Sequence, residues 1–348
     1  MHRFAMWLIA AMIVLPFGAR ADRGQFDLER WYEIMDSVRS RAAASGVSDT
    51  VIDSALRGPA FIPSIVKSDK NQAEFKLTLD GYLERTVSST RIATGRRMRA
   101  KYPTLLSRVD AQYGVPPHVM LAFWGMESNY GATKSRHRLI DAFLTLMYDG
   151  RRETFFGNQL IALMQIADKN GLDISDIHGS WAGAMGHFQF IPTTLAQYGT
   201  DGNGDGRTDI INNVSDAMFS AGNYLNKLGW NKNERIVRRV VLPADFDVSL
   251  LDGKTKLTLP QWSAMGIVNP DGSPIPQTEM TAGLVADIAA IDAARSMASS
   301  VTGASDTDMA PMPVITAYLT YPNFYRIKKW NNSNWYAIAI ANLADELH

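Results

Sequence analysis

The chain has 348 residues, 46% of them hydrophobic, with 35 basic side chains, 35 acidic ones and no cysteine. That is enough for a sizeable core in one large or two medium domains. Zero net charge gives no electrostatic footprint for nucleic acid or an anionic surface, and the missing thiols exclude disulfides, thiolate catalysis and cysteine-ligated metals.

His2 and Arg3 precede the apolar run Ala5 to Phe17, which is too short for a confident membrane span. Ala19-Arg20-Ala21 has the small-x-small form of a signal cleavage site. Residues 1–21 are therefore read as a secretory signal, with Asp22 the mature start; an uncleaved anchor helix is the alternative. No cysteine follows to carry a lipid. The mature protein is expected to be exported, soluble and periplasmic, without a stable membrane span.

Leu28, Trp31, Ile34, Met35 and Val38 recur at helical spacing and predict helix across 26–57, with Ser48 opening a second turn from Val51 to Leu56 before Gly58-Pro59. Helix is predicted again over 69–101, where Arg96, Arg97, Arg99 and Lys101 read as a solvated basic face. Pro116-Pro117 starts the helix that carries Glu127, and further helices are expected at 138–148, 152–169 and 215–228. The glycine-rich segment 174–192 reads as loop plus short helix. Val240, Leu242, Phe246, Val248, Leu250, Leu257 and Leu259, broken by Asp252-Gly253 and Asp271-Gly272, predict short strands and hairpins over 238–275. Residues 298–311 are small and polar and read as a loop. Val314 to Tyr318 and the segment near Tyr325 are expected to be strands, and Trp335 to Glu346 a last helix.

Met126-Glu127-Ser128-Asn129-Tyr130-Gly131 puts one carboxylate at the end of the apolar run Val119 to Met126. Desolvation disfavours the charged form, so the pKa of Glu127 is expected to rise toward that of a general acid. Taken alone, a structural glutamate held by an arginine or by backbone amides is the other reading. The run from Gly179 to Pro192 is the second candidate segment. Its glycines let backbone approach a ligand closely. Ser180 and Gln189 can hydrogen-bond sugar hydroxyls or acetamido groups, and Trp181 can cover a sugar ring. A tight turn between helices is the alternative. The third segment, Asp201-Gly202-Asn203-Gly204-Asp205-Gly206-Arg207-Thr208-Asp209, matches the start of an EF-hand loop, but its twelfth position is Asn212 rather than glutamate. A metal-free Asp/Asn/Gly turn is the alternative there. The six histidines show no metal spacing.

Together the first two segments resemble the lytic murein transglycosylases of the membrane-bound lytic transglycosylase B type, glycoside hydrolase family 103. The resemblance runs from about Phe26 to about Leu343, through Glu127-Ser128-Asn129-Tyr130-Gly131, Gly183 to Pro192, Trp330-Asn331-Asn332-Ser333 and Tyr336-Ala337. It implies an α+β, mainly α-helical protein with a lysozyme-like catalytic core and small β-hairpin elements in the C-terminal half. The expected regions are a helical N-terminal part at 22–104, the core at 105–235, and a C-terminal part at 236–348 that completes the groove.

The resemblance also implies an activity. It is non-hydrolytic cleavage of the β-1,4 bond between N-acetylmuramic acid and N-acetylglucosamine in peptidoglycan strands, leaving a 1,6-anhydro end. Glu127 would act first as acid and then as base, with no organic cofactor. Ser128, Tyr130, Ser180, Trp181, Gln189, Trp330, Asn331 and Tyr336 are the implied substrate contacts. The family often has tyrosine where Trp330 stands; a ring remains there without the hydroxyl, so an apolar face toward the sugar is its expected role. The family's loop is closed by a later aspartate, here Asp216. With Asp201, Asn203, Asp205 and the Arg207 carbonyl it implies structural calcium. No second carboxylate stands out: Asp141, Asp149 and Glu153 read as helix-surface or capping residues, which suits a one-carboxylate route. A lysozyme-type hydrolase and a non-catalytic peptidoglycan-binding protein are the alternatives.

Overall fold

The computed structural model describes residues 26–70, 77–133, 135–301 and 314–348. The expected signal segment and residues 302–311 of the expected loop lie outside them. The fold is α+β and mainly helical, as expected. Among the described residues no helix is long and apolar enough to cross a membrane.

Five short helices make the N-terminal region: α1 (Leu28–Ala44), α2 (Asp49–Ala55), α3 (Pro63–Lys70), α4 (Leu79–Thr86) and α5 (Ser89–Lys101). The Asp27 carboxylate caps α1 by accepting the Glu29 and Arg30 amides. One face of α1 buries Trp31, Ile34, Val38 and Ala42, whereas Leu28, expected on that face, is exposed. The helix expected over 69–101 is broken, among the described residues, at Leu77–Thr78, where Thr78 caps α4, and again at Val87–Ser88. Ser88 Oγ accepts the Arg91 amide and starts a new helix, a cap competing with continuation of the old one. The basic face of α5 is only partly solvated: Arg96 and Arg99 donate to the carbonyls of Glu346 and Leu347 at the far end of the chain.

The helical core follows as α6 (Pro103–Tyr113), α7 (Pro117–Ser128), α8 (Leu139–Asp149), α9 (Glu153–Asn170), α10 (Pro192–Tyr198) and α11 (Val214–Lys227). The sequence reading passed over α6. Every residue of α7 from Val119 to Gly125 is buried, so this helix is wrapped on all sides rather than amphipathic. A two-stranded ladder, β1 (His137–Arg138) with β2 (His178–Gly179), ties the approach to α8 to the segment after α9.

A second core hangs between α11 and the C-terminal helices. Its sheet contains β3 (Val237–Leu242), β4 (Leu257–Thr258), β5 (Thr281–Val285) and β6 (Ile315–Thr320) in the antiparallel order β3-β6-β5-β4. The helices α12 (Leu259–Ala264) and α13 (Ile288–Val301) complete it, burying Trp262, Leu259, Leu284 and Leu319. Leu259 is helical rather than extended because Thr258 and Gln261 form a reciprocal capping box. Residues 298–301, expected in a loop, are the last turn of α13.

The chain then returns to the helical core as α14 (Pro322–Trp330) and α15 (Asn334–Glu346). Tyr325 lies on α14, not on a strand: Pro322 occupies its first turn, where a missing N–H costs nothing, while a sheet ladder would need that donor. α15 packs against α7 and α4. Trp262 is fully buried and donates its indole N–H to the Ala282 carbonyl at 2.9 Å. Trp262→Ala is expected to lower the unfolding free energy by about 3–5 kcal/mol, measured by urea denaturation followed by circular dichroism.

Candidate active site

Glu127 occupies the last turn of α7, and the way that helix ends sets its surroundings. Asn129, Tyr130 and Gly131 are consecutive left-handed residues, with φ of 50°, 60° and 82°. Among the described residues the non-glycine positions with positive φ are Asn129, Tyr130 and Gln189, all in the candidate segments. Backbone of this kind costs about 1–3 kcal/mol per residue and persists only where surrounding contacts enforce it. Here the Asn129 and Tyr130 amides satisfy the orphan carbonyls of Gly125 and Trp124. The Tyr130 ring is buried edge-on against Trp124, at 5.7 Å and 79°. Burial raises the pKa of its hydroxyl, with the charge of Arg91 opposing.

Ser128 fastens this turn to the second segment. It is buried, its hydroxyl donates to the His187 carbonyl at 2.6 Å and accepts the Gly131 amide at 2.9 Å. The His187 Nδ1 accepts the indole N–H of Trp124 at 3.1 Å. Tryptophan can only donate, so Nδ1 is bare and the neutral ring carries its proton on Nε2. Burial lowers the His187 pKa, with Asp209 opposing. Gly131 is required by contact as well as by φ: a Cβ there would lie 2.5 Å from the His187 ring.

The second segment is a tight double turn. Ser180 Oγ accepts the Ala184 amide at 3.0 Å, Met185 and Phe190 exchange backbone hydrogen bonds, and the Gln189 side chain donates to the Gly186 carbonyl at 2.9 Å. Trp181 is half-buried against the main core.

Two donors from the C-terminal helices reach the carboxylate. Trp330 donates its indole N–H to Glu127 Oε1 at 3.0 Å, and the Tyr336 hydroxyl donates to the same oxygen. The Trp330 ring is held among Phe123, Tyr224 and Phe190 at centroid distances of 5.0, 4.9 and 5.4 Å. Trp330 thus makes a polar contact of its own, although the loss of the family's hydroxyl puts a polar role at this position in doubt from sequence alone.

The structure brings Glu127, Trp330 and Tyr336 into one hydrogen-bonded group, with Asn331 directly after it in the chain. Ser128 and Tyr130 pack behind that group, 3% and 7% exposed. A cleft of about 450 Å³ beside the helix end is lined by Ser128 as well as Gly131, Thr133, Asp176, His178 and His187 among others. The other carboxylates considered are engaged with different partners. Asp141 accepts the Ala60 amide and pairs with Arg138, Asp149 pairs with Lys70 and Arg151, and Glu153 pairs with Arg30. Tyr336 was legible as a site residue but not as a partner of Glu127. Trp124 was missed, since nothing in a continuous apolar run marks one indole as a hydrogen-bond donor.

The acidic loop lies next to these turns: the His187 amide donates to the Ile210 carbonyl at 3.1 Å. The Asp201 carboxylate accepts the Gly204, Asp205 and Gly206 amides, and these bonds, Gly206 first, lower its pKa. Asp216, fully buried in the first turn of α11, accepts the Gly202 and Asp209 amides. Burial raises its pKa despite those bonds, and the charge of Asp201 adds to the rise. Asp201, Asp205, Asp209 and Asp216 appear in none of the ion pairs among the described residues. Hard oxygen donors around a buried carboxylate without a cationic partner fit an ion such as calcium by chemistry. Among the described residues no three carboxylates or histidines converge as a ready cage, so amide and carbonyl oxygens have to complete the set.

Comparison with known proteins places the chain. The sequence profile of the family described as "Transglycosylase SLT domain" matches residues 30–345. Membrane-bound lytic murein transglycosylase B of Escherichia coli K12 is 28% identical over 267 residues, covering 75% of this chain. The chain spans 65% of the length of that curated relative. SltB3 of Pseudomonas aeruginosa, solved with NAG-anhNAM-pentapeptide, superposes with a TM-score of 0.79 at 35% identity, covering 91% of this chain and 79% of that one. The Escherichia coli transglycosylase Slt35, solved with calcium, shares the fold with a TM-score of 0.72 at 24% identity, covering 91% and 92%.

Gly131→Ala is expected to lower stability by about 1–3 kcal/mol through strained backbone. It should also break the Trp124–His187 hydrogen bond. Thermal unfolding and the imidazole nitrogen shifts of His187 check the two effects.

Proposed function

The chain belongs to the SLT-domain transglycosylase family, and on that premise we propose that it is a peptidoglycan lytic transglycosylase with Glu127 as its catalytic residue. The observation that carries the proposal is the pair of donors on Glu127 Oε1. The indole N–H has no acceptor capacity, so Oε1 accepts in either charge state and the acid's proton belongs on Oε2.

In the proposed reaction Glu127 protonates the oxygen linking N-acetylmuramic acid to N-acetylglucosamine. The charge developing at the anomeric carbon is met by the sugar's own 2-acetamido group. Glu127, now ionised, takes the proton of the C6 hydroxyl as that oxygen attacks the anomeric carbon and closes the 1,6-anhydro ring. No water enters, and one group serves as acid and then base. The donors from Trp330 and Tyr336 stabilise the carboxylate between the two transfers. The partners found for Asp141, Asp149 and Glu153 favour this route over one with a second carboxylate flanking the bond. The complex of SltB3 with NAG-anhNAM-pentapeptide supports the same chemistry.

Ser180, Gln189, Trp181 and Asn331 are the proposed sugar contacts, with Ser128, Tyr130 and Tyr336 supporting them from behind. Residues 22–104, 105–235 and 236–348 act as helical support, catalytic core and groove-completing region. The site of action is the periplasm, where the substrate lies. Asp201, Asn203, Asp205, the Arg207 carbonyl and Asp216 are the proposed holders of a calcium ion. Bound there, the ion would neutralise the loop and brace the turn at His187; it takes no part in bond cleavage. The calcium complex of Slt35 supports this assignment.

Digestion of purified peptidoglycan, with soluble fragments weighed by mass spectrometry, tests the reaction. Anhydro-muropeptides are expected, and fragments heavier by one water would make the protein a hydrolase instead. Glu127→Gln is expected to slow release by about 10²–10⁴-fold. Trp330→Phe keeps the ring and removes the donor, so kcat should fall by about 10–100-fold, the factor for a hydrogen bond to a charged group. Adding calcium to chelated protein should raise the unfolding temperature, and Asp216→Asn should abolish that rise while the fold persists.

A further inference from the structure

A second cleft, of about 420 Å³, lies between the small sheet and α14 and is lined by Lys256, Thr281, Thr320, Tyr325, Arg326 and Lys329 among others. Three of those six side chains are cationic. Arg326 is already paired, donating to Glu234 at 2.7 Å. Lys256 and Lys329 appear in none of the ion pairs among the described residues.

Lys256 is exposed as a residue, but its ammonium is held in place. It lies 3.5 Å from the centroid of the Tyr325 ring and 3.4 Å from the Gly253 carbonyl oxygen. Tyr325 is itself fixed: its hydroxyl is 2.6 Å from Thr320 Oγ1 and donates to the Gly253 carbonyl at 2.6 Å. Glycine at position 283 leaves room for this group: a Cβ there would lie 2.5 Å from the fixed Tyr325 hydroxyl. Desolvation makes the arrangement unfavourable for the charge, bringing the Lys256 pKa down to about 8. The charge of Asp252 acts on Lys256 against that desolvation, while no carboxylate pairs with Lys329 among the described residues, so the cleft keeps cationic charge that an anionic ligand completes.

The position of the cleft says which anion. Lys329 directly precedes Trp330, the donor to Glu127, and Arg326 lies four residues before Trp330, about 6 Å along the helix axis. A muramic acid ring at Glu127 carries its peptide from the lactyl group. An extended pentapeptide spans up to about 17 Å, well beyond the stretch of α14, about 6 Å, that holds Arg326, Lys329 and Trp330.

We propose that this cleft binds carboxylates of the peptidoglycan stem peptide, with Lys256 and Lys329 as their cationic partners. The inference rests on the transglycosylase reading and adds the peptide to the substrate that the protein recognises. Isothermal titration of the Glu127→Gln protein with two probes tests it: a GlcNAc-MurNAc tetrasaccharide with pentapeptide stems, and the same tetrasaccharide without them. The peptide-bearing probe should bind more tightly. Lys256→Gln with Lys329→Gln should weaken it by more than about ten-fold, since each charge-assisted contact alone is worth about that much, and leave the bare probe unchanged. Lys256→Arg should retain the affinity. Equal loss for both probes, or no loss for either, overturns the proposal while intact binding of the bare probe keeps the transglycosylase reading. Binding of neither probe, with no release from peptidoglycan by the wild-type protein, overturns both.

Discussion

A single carboxylate oxygen joins the two halves of this molecule. Glu127 Oε1 receives its donors from residues 203 and 209 positions further along the chain, so its environment exists only when α14 and α15 have closed over α7. The closure is itself secured from several sides. Ser333 caps α15 so that Tyr336 emerges in its first turn, and aromatic packing fixes the Trp330 ring. Arg96 and Arg99 of α5 hold the last carbonyls of α15, where the helix dipole favours a cation. The N-terminal helices therefore contribute to chemistry that they do not touch.

Glu127 stood out in the sequence because its carboxylate ends an apolar run, and it was set apart from a structural glutamate only by the company of the other motifs. The role of Ser128 was harder to read than it needed to be. Successive helical residues point about 100° apart. Ser128 is therefore turned away from Glu127 into the packing, with its hydroxyl bonded to the His187 carbonyl. The indole N–H of Trp330 was not legible at all, since sequence gives the ring but not the direction of its donor. The helices with clear punctuation, such as α7 behind Pro117 and α8 before Gly150, were placed closely. The errors at Leu259 and Tyr325 share a cause. Short apolar stretches do not separate strand from helix by periodicity, and caps or prolines decided both.

Strain and bracing coincide at the site. Three left-handed residues end α7, a fourth sits at Gln189, and Ser128 and His187 connect the two turns. The acidic loop reaches the same place through the bond from His187 to Ile210. Backbone that is intrinsically unfavourable is thus held by contacts from three directions, so the end of the helix can keep one orientation without help from a bound sugar.

The pairing of β3 with β6 has a topological consequence. Val237, where the chain leaves the helical core, lies opposite Thr320, where it comes back. The second core is thus an insertion closed at its base by a hydrogen-bonded pair of strands. Growth or shrinkage at its far end leaves the spacing between α11 and α14 unchanged, and the closure entropy of a longer excursion rises only logarithmically. The molecule accordingly separates two kinds of freedom. Its outer region can diverge in size and surface, while the span that presents Trp330 to Glu127 stays fixed by main-chain geometry.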